Sequence, residues 1–168
     1  MDKNTCDKCK CEEDTLFLKW GVDYYGDLKT YKKVQAIVYD IKNNKHYFLI
    51  LHRTLRWKGW ELLKGTLEKG EERSLRKALE REIKEETNLK KFKIEKKLNK
   101  QIRFYNKQKT AKNIILEVFL VRVNMNQKIS LHKNKVIEHD KYKWVDKNTA
   151  IKMLTFGNAR SLIRSLKL

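Results

Sequence analysis

Residues Gly65 to Leu89 read GTLEKGEERSLRKALEREIKEETNL, a segment that predicts a helix with carboxylates beside apolar side chains. At about 100° per residue, one sector of this helix contains Leu75, Ala78, Leu79, Ile83, Glu82, Glu85 and Glu86. A solvated face laced by ion pairs is the simpler interpretation, but it does not explain glutamates in the apolar sector. Crowded carboxylates must take up protons or bind a metal ion, and oxygen ligands suit magnesium or manganese.

The predicted helix has sequence signals at both ends. Ser74 is a good N-cap immediately before Leu75, and Asn88 tolerates the left-handed conformation that ends a helix. Upstream, Gly65 and Gly70 allow a tight loop, and a backbone carbonyl of this loop could add an oxygen ligand to a metal ion. We therefore expect the loop and the helix to form one site.

Strand patterns flank the helix on both sides. VQAIVYDI and HYFLILHR, joined by a turn at Asn43 and Asn44, precede it, whereas FKIEKKLNKQIRFY, NIILEVFLVRV and KYKWVD follow it. The segment from Thr149 to Leu168 predicts helix, interrupted near Gly157, so we expect two short helices. Within residues 1–31, the stretch from Leu16 to Tyr25 could form an edge hairpin.

Size and charge limit the classes of function. The 168 residues suffice for one globular domain, and neither a membrane-spanning run nor a signal-peptide core is visible, so we expect a cytoplasmic protein with no membrane partner. The net charge is +19, and outside residues 1–31 and 65–89 the chain has 29 basic and 7 acidic residues. A bias toward lysine could explain this excess. An acidic pocket in a positive body is also expected to attract nucleotides or RNA.

The three cysteines, Cys6, Cys9 and Cys11, lie close together near the N-terminus. They cannot form a paired disulfide framework, which favours a reducing compartment. Their spacing could give a zinc ion two or three thiolates, but a closed zinc site usually has four ligands. We favour free thiols, with a Zn²⁺ site as the alternative.

The glutamate segment resembles the sequence box of the Nudix family, G-x5-E-x7-R-E-U-x-E-E-x-G-U, where U is aliphatic. The residues in register are Gly65, Glu71, Arg81, Glu82, Ile83, Glu85, Glu86 and Leu89. The segment departs from the box twice: nine residues separate Glu71 from Arg81, and Asn88 replaces a glycine. The longer spacing leaves open whether Glu71 or Glu72 forms the ion pair with Arg81 that the resemblance implies.

This resemblance implies an α/β Nudix fold, with a mixed β-sheet sandwiched between α-helices over residues 32–168 and an N-terminal extension over residues 1–31. It implies a pyrophosphohydrolase that uses Mg²⁺ or Mn²⁺. The expected metal ligands are Gly65, Glu82, Glu85 and Glu86. The expected catalytic residues are Glu82, Glu85, Arg81 and Glu138, one carboxylate of the site taking the proton from the attacking water.

The flanking segments are similar to those of asymmetric diadenosine tetraphosphate hydrolases. WELLKGTLEKGE resembles the motif W-x-x-P-K-G-x-x-E-x-G-E with Leu63 in place of proline, and EHDKYKWV followed by LTFGNARSLI resembles the closing segment. By this resemblance, Lys64 contacts substrate phosphate and Glu138 reaches the metal site as a ligand or base. The other candidates for substrate binding are Arg53, Lys112 and, as a stacking partner for a base, Tyr105.

The expected substrate is a dinucleoside polyphosphate or a related nucleotide. Two alternatives remain open: an RNA 5′-end pyrophosphohydrolase or decapping enzyme, and a non-catalytic RNA-binding protein on a Nudix scaffold. A basic track leading away from the metal site would favour RNA, because an RNA chain needs phosphate contacts beyond the reacting group. The sequence does not specify an oligomeric state.

Overall fold

A seven-stranded mixed β-sheet forms the centre of the computed structural model, which describes residues 30–69, 71, 74–106, 112–132 and 136–168. The elements are β1 (Thr30–Lys42), β2 (Lys45–Arg53), β3 (Gly59–Glu61), β4 (Lys64–Thr66), α1 (Leu75–Thr87), β5 (Phe92–Asn106), β6 (Lys112–Val123), β7 (His139–Asp146), α2 (Lys147–Met153) and α3 (Gly157–Arg164). The strand order is β3-β2-β1-β6-β5, with β4 paired to β1 and β7 paired to β2. The predicted mixed sheet between helices is confirmed.

The hairpin of β1 and β2 turns at the predicted asparagines. Asn43 and Asn44 have φ values of 50° and 57°, and Lys42 pairs with Lys45 across the two-residue turn. Two left-handed residues match the twist of antiparallel strands, which explains why asparagine suits both positions. Strand β1 continues to the centre of the sheet, where it pairs with β6 in parallel.

Two short strands, β3 and β4, were not expected from the sequence. Each has three residues, too few to show a periodic pattern. Strand β3 pairs Glu61 with Leu51 of β2, whereas β4 pairs Gly65 with Val34 of β1. These pairings bring the segment before α1 against the sheet, where the candidate site lies.

Helix α1 begins after Ser74 and ends at Asn88, as predicted. The Ser74 side chain makes no capping hydrogen bond, so the prediction of this N-cap was correct only for its position. Asn88 has φ of 55°, and its N–H donates to the Lys84 carbonyl at 2.9 Å. The left-handed cap therefore closes the last turn.

Apolar side chains fill both faces of the sheet. On one face α1 packs Ala78, Leu79 and Ile83 against the sheet, and on the other face α3 contributes Leu162 and Ile163. Among the residues that the structure describes, no helix has the length and apolar character needed to cross a membrane. The segment with the cysteines and the expected N-terminal hairpin lies outside those residues.

Candidate active site

The three candidate glutamates of α1 have different environments. Glu82 and Glu86 are 9% and 8% exposed, whereas the side chain of Glu85 is 41% exposed. The helix therefore directs two carboxylates into the protein and leaves the third at the rim of the site. This is the arrangement that the sector of glutamates predicted, except that Glu85 is partly solvated.

Gly65 lies directly against Glu82. A Cβ atom at position 65 would lie 1.7 Å from Cδ of Glu82 and 2.1 Å from its Oε1, so any side chain there would displace the Glu82 carboxylate. Burial raises the pKa of Glu82, although the positive charge of Arg81 opposes the shift. The loop therefore lies against the helix, and a metal site formed by the two, with the Gly65 carbonyl as a ligand, stays a prediction.

Arg81 joins the loop to the helix. Its Nε and Nη2 donate to Glu71 Oε1 and Oε2 at 3.0 and 2.9 Å, and this bidentate pair raises the pKa of Arg81. Nη1 donates to both Glu82 Oε1 and Glu85 Oε2 at 3.1 Å. Glu71 therefore forms the expected ion pair with Arg81, while Glu72 lies outside the described residues.

Glu86 carries the strongest sign of a cation site. Its Oε2 is buried and has no hydrogen-bond partner among the described residues. Burial raises the pKa of Glu86 well above its usual value, and the charges of Glu82 and Glu61 raise it further. An acceptor surrounded by other carboxylates is costly unless a cation or a proton compensates it.

The donor set fits a hard divalent cation, because it consists of carboxylate oxygens with a backbone carbonyl nearby. Within the described part of the chain, no three His, Cys, Asp or Glu side chains are already arranged to hold a metal ion. The reason is visible at Arg81, whose Nη1 draws Glu82 and Glu85 toward the guanidinium. Metal binding would thus require these carboxylates to change partners.

A buried charge cluster around Glu61 lies close to Glu86 of α1. Glu61 is 2% exposed, and its Oε1 accepts hydrogen bonds from Arg53 Nη1 at 2.9 Å and His139 Nε2 at 3.0 Å. Its Oε2 accepts a hydrogen bond from Lys64. Burial alone would raise the pKa of Glu61, but the hydrogen bond from His139 and the charge of Lys64 lower it to about 2.

Arg53 links this cluster to Glu138. Its Nη2 lies 2.8 Å from Glu138 Oε2, and its Nε donates to the Leu55 carbonyl at 3.1 Å. All three guanidinium nitrogens are thus engaged by the protein, and the contact of Arg53 with a substrate stays a prediction. Lys33 lies nearby, and its pKa is lowered by burial and by the charges of Lys64 and Arg53.

Aromatic rings border Lys64. The rings of Trp57 and Phe156 meet edge to face with centroids 4.8 Å apart, and Lys64 Nζ lies 5.4 and 5.6 Å from these centroids. Phe156 is 41% exposed. The strands place Tyr105 on β5 and Lys112 on β6, but their side chains lie outside the described residues. Their predicted roles are therefore untested.

Sequence reasoning singled out neither Glu61 nor His139. Glu61 stands alone in the apolar run WELL, which predicts burial of a carboxylate. A buried carboxylate needs donors, and this rule could have directed attention to nearby Arg53 and Lys64. His139 gave no comparable signal.

Comparisons with known proteins identify the family and agree with the fold. The family model of the NUDIX domain matches residues 31–165. An Ap4A hydrolase of C. elegans, solved in a binary complex, has 26% identity and a TM-score of 0.64, covering 80% of this chain and 93% of its own. A MutT protein of Methanosarcina mazei has 24% identity and a TM-score of 0.63, covering 82% and 93%. The E. coli dihydroneopterin triphosphate pyrophosphohydrolase has 18% identity and a TM-score of 0.64, covering 83% and 96%. These last two similarities show the fold, and a comparison with curated proteins found no match.

Proposed function

Because the chain belongs to the Nudix family and is a pyrophosphohydrolase, we propose that it cleaves a phosphoanhydride bond of dinucleoside polyphosphates such as diadenosine tetraphosphate. The observation that carries this proposal is the position of Lys64, which lies between the Trp57 and Phe156 rings and the Glu61 carboxylate. A nucleotide has a phosphate, which a cation such as Lys64 can bind, and a base, which can stack on aromatic rings such as those of Trp57 and Phe156. The similarity to the C. elegans Ap4A hydrolase supports the same class of substrate.

Nudix enzymes generally use divalent metals such as Mg²⁺. In this chain Glu82, Glu85, Glu86 and the carbonyl of Gly65 would hold Mg²⁺ or Mn²⁺. When bound, the metal supplies neutralisation of phosphate oxygens and orientation of water. Arg81 contacts both Glu82 and Glu85, and these two carboxylates would exchange the guanidinium for the metal when it binds.

Proton transfer falls to a carboxylate that the metal does not fully engage. Glu85 and Glu138 are the candidates, because both side chains are partly exposed, by 41% and 35%. Either could accept the proton of the attacking water as a general base. Lys64 would bind the polyphosphate by stabilising the negative charge of its phosphate oxygens.

RNA with a 5′-polyphosphate is the second candidate substrate, supported by strand β5. Four exposed lysines of this strand, Lys93, Lys96, Lys97 and Lys100, lie at one end of the strand order. Near its C-terminal end, β5 pairs Phe104 with Ile114 of β6, and on the other side of β6 the same Ile114 pairs with Tyr31 of β1. Strand β5 therefore runs toward the end of β1 that contains Lys33. A basic strand leading toward the site would suit a longer polyanion.

A non-catalytic RNA-binding protein has less support. A protein without metal chemistry would gain nothing from burying Glu82 and Glu86 side by side, since the two charges repel each other and lose solvation. Retention of both carboxylates therefore favours catalysis over binding alone.

The deciding experiment measures magnesium-dependent turnover of diadenosine tetraphosphate and 5′-triphosphorylated RNA at matched concentrations, with chromatographic separation of the products. Faster release of ATP and AMP from the dinucleotide would support the proposal. Preferential release of phosphate or pyrophosphate from RNA would support the second candidate. Absence of turnover of both substrates with either Mg²⁺ or Mn²⁺ would contradict the proposed function.

A further inference from the structure

One buried carboxylate connects two parts of the candidate site. Oε2 of Glu61 accepts a hydrogen bond from Lys64, and Oε1 accepts one from Arg53 Nη1. The other terminal nitrogen of the same guanidinium, Nη2, lies 2.8 Å from Glu138. A chain of charge contacts therefore runs from Lys64 through Glu61 and Arg53 to Glu138.

We propose that Glu61 is a positioning residue, which sets Lys64 for the substrate phosphate and, through Arg53, sets Glu138 beside the carboxylates of α1. This inference rests on the proposed function, because Lys64 and Glu138 are taken to act on a nucleotide polyphosphate. Glu61 itself is 2% exposed and need not touch the substrate. Its role is to fix the direction of two flexible side chains.

The geometry explains why a carboxylate, rather than an apolar residue, stands at position 61. A buried ion pair often adds little to stability compared with apolar packing of the same volume. It does impose direction, because Arg53 must present Nη1 to Glu61 while Nη2 faces Glu138. His139 Nε2 contacts the same oxygen of Glu61 as Arg53 does, and this second contact further restricts rotation of the Glu61 carboxylate.

Glu61 also fixes the orientation of Lys64, the residue proposed to bind the substrate phosphate. Without Glu61, the ammonium of Lys64 would retain only the rings of Trp57 and Phe156, at 5.4 and 5.6 Å, among the residues that the structure describes. Such contacts are weak and tolerate many orientations. Loss of the Glu61 charge should therefore weaken phosphate binding and misplace Glu138 together.

The test is a double-mutant cycle on diadenosine tetraphosphate hydrolysis with Mg²⁺, using Glu61→Gln, Lys64→Met and the double variant. Glu61→Gln should raise KM and lower kcat, with kcat/KM falling on the order of 100-fold, the loss expected for a misplacement of about 1 Å. Lys64→Met should mainly raise KM. In the double variant the KM should rise less than the product of the single effects, because Glu61 acts on KM through Lys64.

The matched control is Asp40→Asn. Asp40 also holds an arginine, with Arg122 Nε at 3.0 Å, but it lies at the far end of β1 and outside the site. This substitution should leave kcat and KM within twofold of the parent protein. A purely structural role of Glu61 would make the two variants alike, each with altered thermal stability and unchanged kinetics.

Kinetic constants of Glu61→Gln within twofold of the parent protein would overturn the inference, as would fully multiplicative effects on KM in the double variant. If Glu61→Gln does not fold by circular dichroism, Glu61→Asp takes its place in the cycle. That variant keeps the charge but shortens its reach, and the same criteria apply. An inactive parent protein would instead contradict the proposed function, so the two failures are distinguishable.

Discussion

Glu82, Glu85 and Glu86 belong to one helix, yet their surroundings give them different chemistry. Glu86 is buried, and its pKa is raised by burial and by neighbouring carboxylates. Glu85 is partly solvated and contacts Arg81 at 3.1 Å. Substitutions at these two positions should therefore have different effects on stability, even though both residues are expected to bind the metal.

Glu85→Gln tests the metal ligand at the rim. The substitution should reduce magnesium-dependent turnover by two orders of magnitude or more, about the effect of losing a key electrostatic contact, while the fold stays intact. Steady-state kinetics measure the turnover, and circular dichroism measures whether the fold is intact. Glu80→Gln on the same helix is the control, since Glu80 contacts only Arg76 among the described hydrogen bonds. Turnover equal to that of the control would refute the assignment of Glu85.

Glu86→Gln tests the cost of the buried charge. Because the folded-state pKa of Glu86 is raised, its ionised form opposes folding at neutral pH, and the free energy of unfolding should rise as the pH falls through this pKa. The metal-free variant should thus be more stable at pH 7 by about 1–3 kcal/mol, because a neutral amide costs less to bury than a charged carboxylate. Urea unfolding with and without Mg²⁺ provides the measurement.

Magnesium should stabilise the parent protein more than the Glu86→Gln variant, because the metal compensates the charge that the substitution removes. The pH dependence attributed to Glu86 should also be absent from the variant. A variant less stable than the parent in metal-free buffer would contradict this account of Glu86.

At the scale of elements, the end of α1 depends on Asn88. Its φ of 55° lies in the left-handed region, which residues with an ordinary side chain adopt at a cost. Asn88→Ala should lower the free energy of unfolding by about 1 kcal/mol, whereas Asn88→Gly should be neutral or stabilising. Thermal or urea unfolding distinguishes the two variants, and equal losses from both would show that the cap conformation is not the cause.

The elements with strong local signals were predictable from the sequence. Helix α1 has an apolar sector and recognisable ends, and the β1–β2 hairpin has two adjacent asparagines at its turn. The same reasoning identified the helix glutamates, because their spacing places them in one sector of a helix. Arg81, by contrast, was identified through the resemblance to the Nudix box.

Contacts between distant segments were less predictable. Strands β3 and β4 are defined by pairing with β2 and β1 rather than by an internal pattern. The cluster around Glu61 depends on these pairings, since it joins Arg53 of β2 to His139, which lies 78 positions beyond Glu61. A single sequence gives no register between strands, so the contact of Glu61 with His139 could not be predicted, although the burial of Glu61 could have been expected.

At the scale of the whole molecule, an acidic site lies within a basic protein. The net charge is +19, whereas Glu82 and Glu86 are buried together in the site. Free nucleotides should therefore be attracted by the overall field, while the site itself needs a cation to accept their phosphates. Electrostatic attraction should then contribute to capture of the substrate rather than to the chemical step.

The salt dependence of catalysis tests this separation. Raising NaCl from 50 to 500 mM shortens the screening length to a few ångströms, so kcat/KM for diadenosine tetraphosphate should fall by on the order of tenfold as long-range attraction is lost. The value of kcat at saturating substrate should change little, because the groups that contact the substrate lie too close together to be screened. Stopped-flow measurements of substrate binding under the same conditions should show that the association rate falls with salt. A flat kcat/KM profile would show that the excess of lysine reflects composition and does not act on substrate capture.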